Sequence, residues 1–191
     1  MNSIMNKNLI TWLLLIFIGC SAPDTIVLNR IPEGNTIVLT MLNGIEKAEE
    51  INHNSFRILP NSIISLKFIE ATQNTIQFEL IPQSTGKIEF FLYTTSNNFP
   101  EKAPIKLELS DNGYSIIKEN KLIAQSDKES LSPNKKKLIK LQKDANLLKI
   151  TINCDVIIAS NVFLNATEYM IIRTDENLNA IIQGLDYSKN Y

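Results

Sequence analysis

Apolar and polar residues alternate in short runs along most of the chain, and these runs predict β-strands. Residues 75–80 read Thr-Ile-Gln-Phe-Glu-Leu, and residues 105–109 and 148–152 repeat the same period of two. Because successive side chains of a strand point to opposite faces, this period predicts antiparallel strands with one face in a core and one in water. The predicted strands are residues 25–28, 36–42, 63–69, 75–81, 87–93, 105–109, 114–118, 121–124, 137–141, 147–153, 156–159, 168–173 and 180–187.

Turn-forming residues separate these runs. Residues 110–113 (Ser-Asp-Asn-Gly) and 119–120 (Glu-Asn) predict tight hairpin turns, and residues 144–146 and 153–155 predict two more. Strands at this short spacing are typical of a sandwich or a barrel. The only predicted helix is one or two turns at residues 45–51, and the longest polar connection is residues 126–134.

The N-terminus has the pattern of an export signal. Lys7 precedes ten apolar or near-apolar residues, 9–18, and Gly19 and Cys20 follow. Ten residues form a helix of only about 15 Å, against roughly 30 Å for the hydrocarbon core of a membrane, so a cleaved signal is favoured over a membrane span. We expect a signal peptide at 1–19, a tether at 20–34 and one domain at 35–191. An ordinary secretory signal cut near residues 21–23 is the alternative.

Residues 17–20 (Phe-Ile-Gly-Cys) resemble the lipobox of bacterial lipoproteins, although that family prefers Leu where Phe17 stands. The resemblance implies that Cys20 becomes the first residue and carries the lipid, and several acyl chains would anchor it stably to a membrane. Ser21 in place of Asp implies export to the outer membrane. The expected location is therefore the bacterial cell envelope, lipid-anchored, at the outer membrane.

The net charge and the cysteine content limit the partners and the disulfides that are expected of this chain. The formal charge is −1, which becomes −2 without Lys7, so no basic field exists to attract nucleic acid. The lysines between 135 and 143 predict a solvated turn and a strand with lysines on its outward face. Cys154 is the only cysteine besides Cys20, and we expect it to be a half-buried, inert thiol outside any intramolecular disulfide.

Few residues offer catalytic chemistry. His53 is the only histidine and lies in a polar stretch, which predicts a surface residue. Glu49 with Glu50, and Asp175 with Glu176, are expected to be solvated loop charges. An enzyme would have to use carboxylates such as Glu79, Glu89 and Glu108, because no paired-carboxylate strand motif is present.

Ligand and metal candidates come from loops. Glycan sites usually offer an exposed aromatic face, so Tyr93, at the end of one predicted strand, and Phe99, in the loop that follows, are the candidate ligand contacts. Calcium needs only carboxylate, amide and backbone oxygens, so Asp111, Asn112 and Asp175 are candidate ligands; no other cofactor is expected.

The order of strands from residue 75 to 187 resembles the concanavalin A-like superfamily, which includes laminin-G domains and glucanases. The similar segments are residues 106–114, 143–153, 169–173 and 181–185, while Cys154-Asp155 replaces the glycine usual in the hairpin after residue 153. The resemblance implies an all-β fold, an antiparallel two-sheet β-sandwich of concanavalin A-like jelly-roll type. Calcium, often held by laminin-G-like domains, is a further implication.

These observations predict a membrane-anchored, non-catalytic β-sandwich that binds a glycan or an envelope or extracellular protein. A divergent glycoside-active enzyme is the first alternative. A structural envelope subunit that pairs through an edge strand is the second.

Overall fold

The computed structural model describes residues 25–29, 36–41, 48–52, 54–68, 73–94, 103–145, 147–159 and 169–189. The predicted signal peptide, most of the predicted tether, Cys20, His53 and Phe99 lie outside these residues. None of the described residues forms a helix that is long and apolar enough to cross a membrane. The strands are β1 (Thr25–Asn29), β2 (Thr36–Met41), β3 (Ala48–Asn52), β4 (Ser55–Ile58), β5 (Ile63–Lys67), β6 (Gln73–Pro82), β7 (Ile88–Thr94), β8 (Ile105–Ser110), β9 (Gly113–Lys118), β10 (Lys121–Ser126), β11 (Lys137–Asp144), β12 (Leu147–Ile152), β13 (Asp155–Ala159), β14 (Tyr169–Thr174) and β15 (Ala180–Lys189).

The strands form two antiparallel sheets, which confirms the predicted fold class. The eight-stranded sheet has the order β1-β2-β5-β14-β7-β8-β9-β10, and the seven-stranded sheet has the order β13-β12-β11-β6-β15-β4-β3. Some neighbouring strands, such as β14 and β7, are far apart in the sequence, whereas others, such as β8 and β9, form simple hairpins. The result is a β-sandwich of jelly-roll type.

The apolar residues of the alternating pattern form the inner faces of both sheets. In β6 every second residue, from Asn74 through Phe78 to Pro82, is buried. Phe78 on the seven-stranded sheet meets Phe90 on the eight-stranded sheet with ring centroids 5.4 Å apart. Fully burying one such side chain contributes roughly 1.5–3 kcal/mol, so the interdigitated layer is the main source of stability.

The predicted hairpin turns are present. Glu119 and Asn120 both have positive φ, 47° and 63°, as a two-residue turn between twisted strands requires. Between β8 and β9, Gly113 has φ 115°, and a side-chain carbon there would collide with the carbonyl oxygen of Ser126. The turn at 110–113 therefore requires glycine at its last position.

The helix predicted at residues 45–51 is wrong, because Ala48–Asn52 is strand β3. It pairs with β4 as the edge of the seven-stranded sheet, and Glu49, Glu50 and Ile51 are exposed there. An edge strand exposed in this way shows no period of two, which is why its sequence does not read as a strand. Glu49 accordingly lies on a strand and not in a loop, and Arg57 Nη1 contacts it at 2.9 Å.

Two lysines of β11 point inward, contrary to the prediction that its lysines face water. Lys137 is buried and its Nζ lies 2.7 Å from Glu129 Oε2, while Lys143 is buried with its Nζ 5.4 Å from the centre of the Tyr93 ring. Strand β11 is in the predicted place, but Lys137 and Lys143 lie at the two ends of its inner face, at the margins of the core. Cys154 is exposed in the turn after β12, so the expectation of a half-buried thiol is also wrong.

Candidate functional site

A network of charged side chains crosses the outer face of the eight-stranded sheet. Glu89, Lys106 and Glu108 alternate along β7 and β8 with core residues such as Phe90 and Leu107. The strand register places Arg173 of β14 opposite Glu89, and Glu89 opposite Glu108. Because directly opposed residues lie on the same face, the register brings these charges together.

Glu89 is the centre of this network. Its carboxylate accepts a hydrogen bond from Arg173 Nε and another, of 3.1 Å, from Lys106 Nζ. Lys106 Nζ also donates to Glu108 Oε2 at 3.2 Å. Lys87 Nζ lies 3.6 Å from Glu89 and 3.8 Å from Glu108, so three cations surround two carboxylates.

Burial and charge act in opposite directions on Glu89. Desolvation raises its pKa, but the hydrogen bonds and charges of Arg173 and Lys106 outweigh that effect and lower the pKa to about 2. Burial likewise disfavours the charged form of Lys106, yet its two carboxylate partners raise its pKa above the ordinary value. Both groups are therefore held in their charged forms.

The outer face continues from this network into a buried, less polar region. The Arg173 guanidinium lies 4.9 Å from the centre of the Phe91 ring, which is buried although it points away from the core. The hydroxyls of Ser65 and Thr94 are also buried, and neither has a hydrogen-bond partner among the residues that the structure describes. This part of the face is closed to solvent, so a ligand has access only to its rim.

Two open grooves flank the hairpin turn at residues 110–113, and each has a volume of about 420 Å³. Glu108, Ser110 and Asn112 belong to both grooves, so Glu108 is the residue of the charged network that lies in their common wall. The first groove is lined by Glu108, Ser110, Asn112, Gly113, Tyr114, Ser115, Gln125, Ser126 and Asp127. The second is lined by Thr85, Gly86, Lys87, Glu108, Ser110, Asp111, Asn112, Asp175 and Asn177.

The turn between the grooves is fixed by hydrogen bonds. The Ser110 hydroxyl accepts from the Asn112 backbone N–H at 3.2 Å, and the Ser110 carbonyl accepts from the Leu131 N–H at 2.6 Å. Leu131 is buried in the core, so the long connection after β10 holds the turn in place. The grooves are therefore built on a rigid support.

The structure brings the three calcium candidates, Asp111, Asn112 and Asp175, to the second groove. The Asp175 carboxylate is already occupied, because it accepts from the backbone N–H groups of Lys87, Asn177 and Leu178 at 2.9–3.1 Å. Across the described ranges, no three His, Cys, Asp or Glu side chains are grouped so that they could hold a metal ion. The donor set, as far as the structure describes it, does not fit a resident calcium ion.

The other sequence candidates are dispersed. Tyr93 is buried in the core, where its hydroxyl lies 3.4 Å from Asn74 Oδ1, and burial raises its pKa. Glu79 is on the outer face of the seven-stranded sheet, bound by Lys136 at 2.8 Å and Gln183 at 2.6 Å, and these bonds lower its pKa. Of the three carboxylates considered for an enzyme, only Glu89 and Glu108 are neighbours.

Sequence reasoning missed the cations of the network and, in the first groove, Ser115 and Gln125. Lys87 and Glu89, like Lys106 and Glu108, are two residues apart, and that spacing alone places each pair on one face. Arg173 is 84 residues from Glu89, and no local signal joins them. Ser115 and Gln125 face each other across β9 and β10, which likewise becomes visible only with the register.

No protein-family model matches the chain, and no curated protein matches it. Solved structures of similar fold include the carbohydrate binding module CBM66 from Bacillus subtilis (13% identity, TM-score 0.56, 88% of this chain and 98% of that chain). An alginate lyase of polysaccharide lyase family 7 is also similar (11% identity, TM-score 0.51, 82% of this chain and 79% of that chain). A sialidase is similar at 9% identity with a TM-score of 0.52, but the chain covers 17% of its length. At these identities the likeness shows the fold alone.

Proposed function

We propose that this protein is a non-catalytic glycan-binding domain whose ligand lies in the two grooves beside the turn at residues 110–113. The observation that supports this best is the lining of the grooves. Hydroxyl, amide and carboxylate groups converge there on open spaces of about 420 Å³ each. Groups of this kind match the hydroxyls of a sugar, and fixed strands give them a defined spacing.

The fold is in line with this proposal, since CBM66 is a carbohydrate binding module built as a sandwich of similar shape. Glu108 separates the grooves and is held by Lys106 Nζ at 3.2 Å, so it needs no reordering when a ligand arrives. Such preorganisation lowers the entropy cost of binding.

Binding is tested with the full-length protein in detergent against a panel of polysaccharides, by affinity electrophoresis and calorimetry. Gln125→Ala removes an exposed amide from the first groove, and we expect affinity to fall at least about 5-fold, the loss of one hydrogen bond. The matched control is Gln142→Ala on β11 of the other sheet, which should bind like the wild type. Binding to no polysaccharide, or equal losses in both variants, would refute the proposed site.

We also propose that Cys20 anchors the protein in the bacterial envelope, at the outer membrane. The lipobox-like residues 17–20 support this. Cells grown with a clickable fatty acid should label the wild type and Cys154→Ala equally, while Cys20→Ala should lose the label and leave the membrane fraction. Labelling of Cys20→Ala at the wild-type level would exclude this anchor.

Hydrolysis is the second candidate function, because Glu89 and Glu108 are cross-strand neighbours. Directly opposed side chains lie side by side on one face of a sheet, as two carboxylates that act on one bond must. Against it, the pKa of about 2 keeps Glu89 from donating a proton at neutral pH. Release of reducing ends from any bound polysaccharide, abolished by Glu108→Gln, would establish the enzyme and overturn the binding-only proposal.

A further inference from the structure

We propose that the two grooves select uncharged polysaccharides and reject acidic ones. This inference rests on the proposed function and names its ligand class. The charge around the grooves carries it. Glu108 and Asp127 line the first groove, and none of the described residues in its wall is a cation. Asp111 and Asp175 join Glu108 in the second groove, where Lys87 is the only cation of the wall as described.

The two lysines of the network beside the grooves, Lys87 and Lys106, are engaged with protein carboxylates. Lys87 Nζ lies within 3.8 Å of both Glu89 and Glu108, and Lys106 Nζ is within 3.2 Å of both. A uronate or sulfate would have to compete with these carboxylates for the same ammonium groups. It would also approach other carboxylates, and such like-charge contacts suppress binding.

A neutral sugar has no charge that the carboxylates of the grooves would repel. Its hydroxyls donate hydrogen bonds to carboxylate oxygens, and hydrogen bonds to a charged acceptor are about twice as strong as neutral ones. Ser115 and Gln125, opposite each other on β9 and β10, add a hydroxyl and an amide beside Glu108. The lining therefore offers acceptors and neutral donors to hydroxyl groups, which are the polar groups of an uncharged glycan.

The test uses polymers that differ only in charge. Alginate, polygalacturonate and hyaluronan are compared with the same polymers after reduction of their carboxyl groups to alcohols, beside a panel of neutral glucans, mannans, xylans and fructans. We expect the full-length protein to bind a neutral or reduced polymer at least 10-fold more tightly than any acidic one. Equal or tighter binding of an acidic polymer overturns the inference but leaves the proposed function intact. Binding of no polymer removes both.

Two variants test whether the preference for neutral over acidic polymers arises in the grooves. Glu108→Gln should weaken binding of the neutral polymer about 10-fold and reduce the discrimination against its acidic form. The matched control is Glu79→Gln, because Glu79 is also a partly exposed carboxylate held by a lysine but lies on the other sheet. Asp127→Asn, at an exposed position, keeps the test valid if Glu108→Gln unfolds. Unchanged affinity and discrimination in both groove variants would overturn the inference.

Discussion

At the scale of single residues, Glu89 shows how a carboxylate is kept charged in a buried position. Three cations, those of Lys87, Lys106 and Arg173, lie within 3.6 Å of its carboxylate. The hydrogen bonds and charges of Arg173 and Lys106 more than offset the desolvation of the carboxylate. Groups of this kind stabilise the folded state only while they are ionised. Removal of the Glu89 charge would also leave Lys106 and Lys87 with one carboxylate partner, Glu108, where they now have two.

We therefore expect Glu89→Gln to lower the free energy of unfolding by about 3 kcal/mol at pH 7, measured by urea denaturation. Glu49→Gln, at the exposed pair with Arg57, removes the same charge and should cost at most about 1 kcal/mol. A loss for Glu89→Gln as small as that of the control would show that the network contributes little to stability.

Glu89 also makes the free energy of unfolding depend on pH. The folded pKa of Glu89, about 2, lies below the ordinary 4.5, so its contribution is complete above about pH 4.5 and disappears as the pH falls toward 2. The difference in unfolding free energy between wild type and Glu89→Gln should shrink over that window and stay constant above it. A constant difference down to pH 2 would contradict the assigned pKa.

At the scale of elements, the hairpin of β8 and β9 connects a local sequence signal to the site. Gly113 has φ 115° and leaves no space for a side-chain carbon beside Ser126, whereas Gly184 has φ 62° with open space around it. Gly113→Ala should lower the unfolding free energy by at least about 2 kcal/mol, since strain and collision add. Gly184→Ala carries backbone strain alone and should cost about 1 kcal/mol. Equal melting temperatures for the two variants would show that the turn adapts.

The elements also show what the sequence predicts and where it stops. Strands β6, β8 and β12 are recognisable from their alternation, and the turns at 110–113 and 119–120 from residues that tolerate positive φ. Strand β3 is not recognisable, because an exposed edge imposes no alternation. The site is hidden for a different reason. Its carboxylates stand out in the sequence, but only the long-range register of β14 with β7 gives them Arg173.

Exposed apolar residues at one edge of the eight-stranded sheet bear on the structural-subunit alternative. Leu122 and Ile123 of β10 are 56% and 43% exposed. The register shifts between Leu122 and Ala124, and an irregularity of this kind blunts an edge against further pairing. Pairing of subunits through this edge stays a prediction.

At the scale of the whole molecule, the sandwich has an apolar layer with polar groups at two margins. At one margin Glu129 binds both Lys137 and Asn153, at 2.7 Å and 2.6 Å. At another, Asn74 lies among Tyr93, Tyr187 and the buried Lys143, and burial raises the pKa of both tyrosines. The two sheets are therefore expected to unfold together, because the layer between them belongs to both.

Coupling between the sheets is measurable at Phe78 and Phe90, whose rings meet across the layer. Phe78→Leu and Phe90→Leu should each cost about 1–2 kcal/mol, and the double variant should lose less than their sum by about 0.5–1.5 kcal/mol, the aromatic interaction that either change removes. Phe91 is the control, because it adjoins Phe90 in β7 but points to the outer face, beneath Arg173. A cycle of Phe78→Leu with Phe91→Leu should show a coupling below about 0.5 kcal/mol. Equal coupling in both cycles would mean that the loss spreads through β7 and does not report contact between the sheets.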